Sequence, residues 1–342
     1  MMHMSCSEAD VMKRVNGPLV HNNLAVYFLS GESQPGPIPL SLQEALGNAQ
    51  VRLYETTHIH ELRIENVGDK EVFLQAGDIV KGGWQDRTLN ATMVLPPLSG
   101  TIPVASFCVE AGRWAARGRE DASSFAASAR SVPSRAMKLA MNEQVAPSAD
   151  PDSSRHPPGR KRMDRAARIL ETALRQRKVW DGVRSTQEKL QQNLGHAVRS
   201  RLSETSLELS LDNDKLQKAI RTSVDVLAPG GEQEGDIIGC VFAVNGRISS
   251  ADVYPSNGLF RKMWRKQLDA GIIEAITEQD GNAVSPPPPA EVEAFLSSAD
   301  KGVVSSRQVA CETRMVSHES DHVLVVEARR ADGFLHRTYL AK

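Results

Sequence analysis

The densest run of side chains able to do chemistry is Lys81-Gly82-Gly83-Trp84-Gln85-Asp86-Arg87. Two adjacent glycines let successive backbone N–H groups turn toward one point, which makes an anion-binding nest. Lys81 and Arg87 bring positive charge to it, and a guanidinium can grip a phosphate with two parallel hydrogen bonds. Asp86 offers a carboxylate as a base or a metal ligand. Taken alone, the run has a simpler reading, a tight β-turn with solvated charges, because Gly-Gly pairs are common turn punctuation. It is not a Walker loop, since the Gly-Lys-Ser/Thr ending is missing.

A second run is Phe107-Cys108-Val109-Glu110-Ala111-Gly112-Arg113-Trp114. On a strand, Cys108 and Glu110 share a face. Glu110 is then a candidate general acid or base, and Cys108 a candidate nucleophile. Arg113 and Trp114, at the strand exit, suit a phosphate and a stacked base. No histidine lies near Cys108 in sequence to lower its pKa, so core packing is the better reading of that thiol. For Glu110, an active role and a pairing with Arg113 are evenly matched. A third group is His58-Ile59-His60-Glu61. Two histidines two apart on a strand share a face and, with Asp86, resemble the cupin metal pattern. The later cupin histidine is missing, and histidines on a sheet edge are the simpler reading. A fourth is the helix start Ser256-Asn257-Gly258 with Arg261, Lys262, Arg265 and Lys266. A helix N-terminus attracts anions, but these bases lie opposite an apolar stripe and read as a solvated face.

Strands must position the first three groups. From Val51 to Val109, short apolar runs alternate with turn signals, as in a sandwich or barrel. Leu24–Leu29 reads as a strand, and Ser41 with Glu44 as a capping box on a short helix. Residues 115–162 are rich in Ala, Ser, Arg and Pro, and read as a linker or surface excursion with a short helix near Ser134 to Glu143. Helices are expected at Arg165 to Leu202 and at Asp212 to Leu227. A hairpin at Asn245-Gly246 follows, then a long helix capped by Ser256, a short helix near Glu291 and two or three closing strands. The expected fold is α+β. A β-rich N-terminal sandwich or distorted barrel is joined to C-terminal helices packed on a mainly antiparallel sheet. The expected divisions are a flexible tail at 1–16, the β-rich unit at 17–118, the linker at 119–162 and the α/β unit at 163–342.

The 342 residues carry 41 Lys+Arg and 42 Asp+Glu, a net charge of -1. The basic excess of a general nucleic-acid binder is absent. No apolar run approaches the ~20 residues of a membrane span. The first residues have no apolar core of a secretory signal. The four cysteines are scattered without a CxxC pair, which fits reduced thiols in a cytoplasmic protein rather than a zinc site or disulfide framework.

In order and spacing, several segments together resemble the ADP-ribosylglycohydrolase and rhodanese-phosphatase associated protein domain family. They are Pro39 to Leu46; Gly77 to Arg87; Cys108 to Glu110 with Gly112-Arg113-Trp114; and Val244-Asn245-Gly246 followed by Asp252 and Leu259-Phe260. The resemblance spans roughly residues 17–278. It implies a role in the metabolism of NAD-derived nucleotides, with a small-molecule nucleotide ligand, and it singles out Gln85, Asp86, Arg87, Glu110, Arg113 and Trp114. The leading expectation is a site that binds or hydrolyses an ADP-ribose-like ligand. Lys81, Gly82, Gly83, Gln85, Arg87, Arg113 and Trp114 would hold the ligand, and Asp86 and Glu110 would act on it. A cupin-like metal enzyme and a non-enzymatic sensor or scaffold remain as alternatives. No metal, cofactor or protein partner is assigned.

Overall fold

The computed structural model describes residues 12–56, 58–117, 125–143, 158–282, 284–298, 302–331 and 333–342. Strands β1 (Met12–His21) and β2 (Leu24–Gly31) form an opening hairpin, and every residue of β2 is buried. Strand β3 (Leu40–Ser41) leads into helix α1 (Leu42–Gly47). The capping box forms as expected. Ser41 Oγ accepts from Glu44 N at 3.2 Å, and Glu44 accepts from Ser41 N at 2.7 Å. Eight strands follow: β4 (Val51–Glu55), β5 (Glu61–Asn66), β6 (Val72–Leu74), β7 (Asp78–Gly82), β8 (Arg87–Leu89), β9 (Met93–Leu95), β10 (Gly100–Cys108) and β11 (Phe125–Ser131). Helices α2 (Arg135–Asn142), α3 (Pro158–Leu194), α4 (Leu207–Leu211), α5 (Asp214–Leu227) and α6 (Pro229–Glu232) come next. The chain ends with β12 (Ile237–Val244), β13 (Arg247–Val253), α7 (Asn257–Thr277), α8 (Pro289–Ser297), β14 (Val303–Gln308), β15 (Arg314–Glu319), β16 (Val323–Arg330) and β17 (Gly333–Ala341).

The fold is α+β with mainly antiparallel sheets. One sheet has eight strands in the order β1-β2-β12-β13-β17-β16-β15-β14. A second has six, β11-β7-β8-β10-β5-β4, and a third has three, β3-β6-β9. The large sheet therefore joins the first two strands of the chain to its C-terminal half. Met12 to Asn16, expected in a tail, belong to β1. Alternation is weak there, and pairing with the buried β2 is what holds the segment extended. Within the expected linker, Phe125–Ser131 pairs with β7, and α3 already starts at Pro158. Proline is well placed in a first helical turn, where its missing N–H has no partner to lose. Helix α3 stops at Leu194, short of the expected Leu202, and Gly195 follows with φ +68°. Ile169, Leu170 and Leu174 are exposed, and the helix docks through Gln176, Val179, Val183 and Leu190.

Helix α7 anchors the main core. Its Trp264 stacks on Phe242 at 6.3 Å and meets Phe28 edge-on at 5.3 Å. Each such ring pair adds about 0.5–1.5 kcal/mol to the area it buries. Gly271 is required at the contact, because a Cβ there would lie 2.9 Å from the Phe242 ring. The basic face expected to be solvated is corrected at Lys266. It is 5% exposed and its ammonium bonds to buried Asp78 of β7. A lysine is retained in such a place only when paired.

Candidate functional site

Strand β7 ends in Gly82, at φ +125°, and Gly83 follows at φ +56°. A Cβ on Gly83 would sit 2.5 Å from Glu55 Oε1 and 2.3 Å from the Phe125 ring. Only glycine fits both the backbone conformation and the space. The turn lets Trp84 N donate to Glu55 Oε1 at 2.8 Å and Gly82 N donate to Asp86 Oδ1 at 3.1 Å. Strand β8 then pairs with β10, Arg87 opposite Cys108. That register carries Asp86 to Glu110. Val109 N donates to Asp86 O at 3.0 Å, and Asp86 N donates to Glu110 Oε2 at 3.1 Å.

Three carboxylates meet three guanidiniums here. Arg117 grips Asp86 with two bonds, at 2.8 and 3.3 Å. Ser206 Oγ donates to the same carboxylate at 2.8 Å and also caps α4 at Leu209 N. Arg113 pairs with Glu110 Oε2 at 2.8 Å, and Arg87 pairs with Glu55 at 3.2 Å. Asp86 and Glu110 are fully buried. Asp86 accepts from Gly82 N, twice from Arg117 and from Ser206, which fills the roughly four acceptor positions of a carboxylate. Glu110 is less engaged. Its Oε1 accepts no hydrogen bond among the described residues and lies 3.6 Å from Arg117. Burial pushes the Cys108 thiol up to about 11 despite the adjacent Arg87, so it is neutral and inert as a nucleophile.

The remaining expected residues divide. Gln85 is 1% exposed, and neither end of its amide has a hydrogen-bond partner among the described residues. Trp114 and Trp84 are partly exposed at 50% and 39%, with rings edge-to-face at 6.3 Å. The Arg87 guanidinium lies 5.7 Å from the Trp114 ring centre. Asp86, Arg87, Glu110, Arg113 and Trp114 thus come together around the Gly82-Gly83 turn. Lys81 points away, toward Asp212 at 3.4 Å. Sequence reasoning missed Arg117, Ser206 and Glu55. Arg117 follows Arg113 by four residues, a faint signal; Glu55 and Ser206 gave none, because only tertiary pairing recruits them.

The histidine pair is corrected. His58 and His60 lie in the turn before β5, not on a strand. The His60 ring packs on Phe107 at 6.0 Å, and burial, then Arg87 and Arg175, hold its pKa below the ordinary value. Among the described residues, no group of three or more His, Cys, Asp or Glu is placed to hold a metal. No described helix is long and apolar enough to cross a membrane. Asp86 and Glu110 line none of the three cavities described among these residues.

No curated protein and no solved structure matches the chain. A family model does, over residues 13–340, which include the glycine turn, the carboxylates and all the arginines of the cluster. The chain belongs to the family described as ARG and Rhodanese-Phosphatase-superfamily-associated Protein domain.

Proposed function

We propose that the Gly82–Arg87 turn and the Glu110–Arg117 segment form a site for an ADP-ribose-like nucleotide. One observation carries the reading. Buried polar atoms without hydrogen-bond partners gather at this turn: both ends of the Gln85 amide, Arg87 Nε, Arg113 Nε and Glu110 Oε1. Each such atom costs about 1–3 kcal/mol unless something satisfies it. They lie beneath two exposed tryptophans, whose faces can stack a base. Arg113, at 12% side-chain exposure, is the guanidinium best placed to exchange Glu110 for a phosphate. The exchange would free Glu110 to accept from a ribose hydroxyl or a water. Asp86, saturated by its own partners, serves as the anchor of the turn and not as the base. The family name, with its link to ADP-ribosylglycohydrolases, points to the same ligand class.

Thermal unfolding with ADP-ribose, NAD, AMP or ribose-5-phosphate tests the proposal. A ligand at a hundredfold excess over its Kd adds about 2.7 kcal/mol of stability. A rise in Tm selective for ADP-ribose, lost in Arg113→Ala, is expected. No rise with any of the four would remove the nucleotide reading. The closed ion pairs on Asp86 favour a second reading, binding without turnover. Chromatography of ADP-ribose incubated with the protein separates the two.

A further inference from the structure

A small cavity lies where the eight-stranded sheet and Ser131 of β11 meet α2 and the Gln75–Gly77 turn, and none of its walls belongs to the Gly82–Arg87 cluster. Its volume is about 30 Å³, room for about two water molecules. Asp252 of β13 stands in its wall at 2% exposure. Its Oδ1 accepts from Thr338 Oγ1 at 2.7 Å and from Gln75 Nε2 at 3.4 Å, and pairs with His336 Nε2 at 3.0 Å. Gln75 is held in turn by Tyr254, whose hydroxyl donates to its Oε1 at 3.0 Å. Three side chains thus hold the carboxylate directly, and Tyr254 holds one of the three. The other carboxylate oxygen, Oδ2, is buried without a hydrogen-bond partner among the described residues.

We propose that this cavity is a second binding site, which takes a hydroxyl group of a small polyol or a sugar as hydrogen-bond donor to Asp252. Charge narrows the choice of ligand. Burial tends to raise the Asp252 carboxyl, but the bond and charge of His336, then Lys138 and Thr338, hold it below its ordinary value, so it is an anion. A phosphate or carboxylate is repelled. A cation is disfavoured by Lys138, which shares the wall. A neutral donor remains. Lys138 can donate to the lone pair of the same hydroxyl, and Met141 and Met315 offer the adjoining carbon an apolar wall. The volume admits one hydroxymethyl group in place of the waters, with the rest of the ligand outside the cavity.

Methyl NMR of the full chain with ¹³C-labelled methionines reads the site directly. Met141 and Met315 report on the cavity, and Met263, buried in the main core, reports on the fold. Titration with glycerol and, separately, D-ribose distinguishes a free polyol from a sugar ring. Saturable shifts of Met141 and Met315 are expected with at least one of them, with Met263 unmoved. Sodium phosphate should give none. Asp252→Asn should raise the half-saturating concentration at least tenfold, and Lys138→Met severalfold. Should Asp252→Asn disturb the Met263 signal, Lys138→Met alone decides. Absent shifts, binding of phosphate in place of the polyols, or an unchanged midpoint in Lys138→Met would each overturn the proposal.

Discussion

Arg117→Met should be among the most damaging single substitutions in the protein. Asp86 is fully buried, and Arg117 is the only guanidinium within hydrogen-bonding reach of both its oxygens among the described residues. Methionine fills much of the same volume but leaves the carboxylate with Ser206, Gly82 N and an Arg113 that is 3.8 Å away. Removing one partner of a buried ion pair costs about 3–5 kcal/mol, because the other charge stays desolvated. Asp86→Asn should also be costly, because it removes the buried charge that Arg117 grips with two bonds. The double variant removes both charges, so its loss should fall short of the sum of the two by about 0.5–3 kcal/mol. Urea unfolding followed by far-UV circular dichroism and by tryptophan fluorescence measures all three. A loss for Arg117→Met below about 1 kcal/mol, the range of exposed pairs, or strict additivity in the double variant, would refute the buried lock.

Three further outcomes follow from the geometry. Gly83→Ala should lower stability by more than the ~1–2 kcal/mol of a left-handed backbone alone, because its Cβ meets Glu55 and Phe125; a urea midpoint near wild type would contradict this. Cys108 should resist iodoacetamide at pH 8 in the native protein and react once it is unfolded, as peptide mass spectrometry would show, since its thiol titrates near 11. The Asp252 contribution to stability should be present above the unfolded carboxyl value of about 3.9 and fade as pH falls through the lower folded value. The stability gap between wild type and Asp252→Asn should therefore narrow on acidification; a gap that widens would reverse the sign of the His336 interaction.

The elements legible in the sequence were those whose signal is local. Ser41 with Glu44, Asn245-Gly246 and Ser256 each state a cap or turn in a few residues, and each forms. The convergence of Asp86 with Glu110 was within reach because both sit at the ends of readable strands. What stayed hidden depends on distant partners. Lys266 looks like any basic residue on a helix until Asp78 of a remote strand is brought against it. The edge strands β1 and β14 have little alternation of their own and are extended by the neighbours they pair with. Arg117 sat in a stretch that composition marked as loop, yet a loop arginine can be buried when a carboxylate waits for it.

A fluorescence titration with ADP-ribose tests the proposed nucleotide site most directly, since Trp84 and Trp114 are the exposed rings beside the Gly82–Arg87 turn. Saturable quenching is expected in the wild type, weakened at least tenfold by Arg113→Met and largely abolished by Trp114→Ala. The same quenching in all three proteins, or none in the wild type, would contradict the assignment of this turn as a nucleotide site.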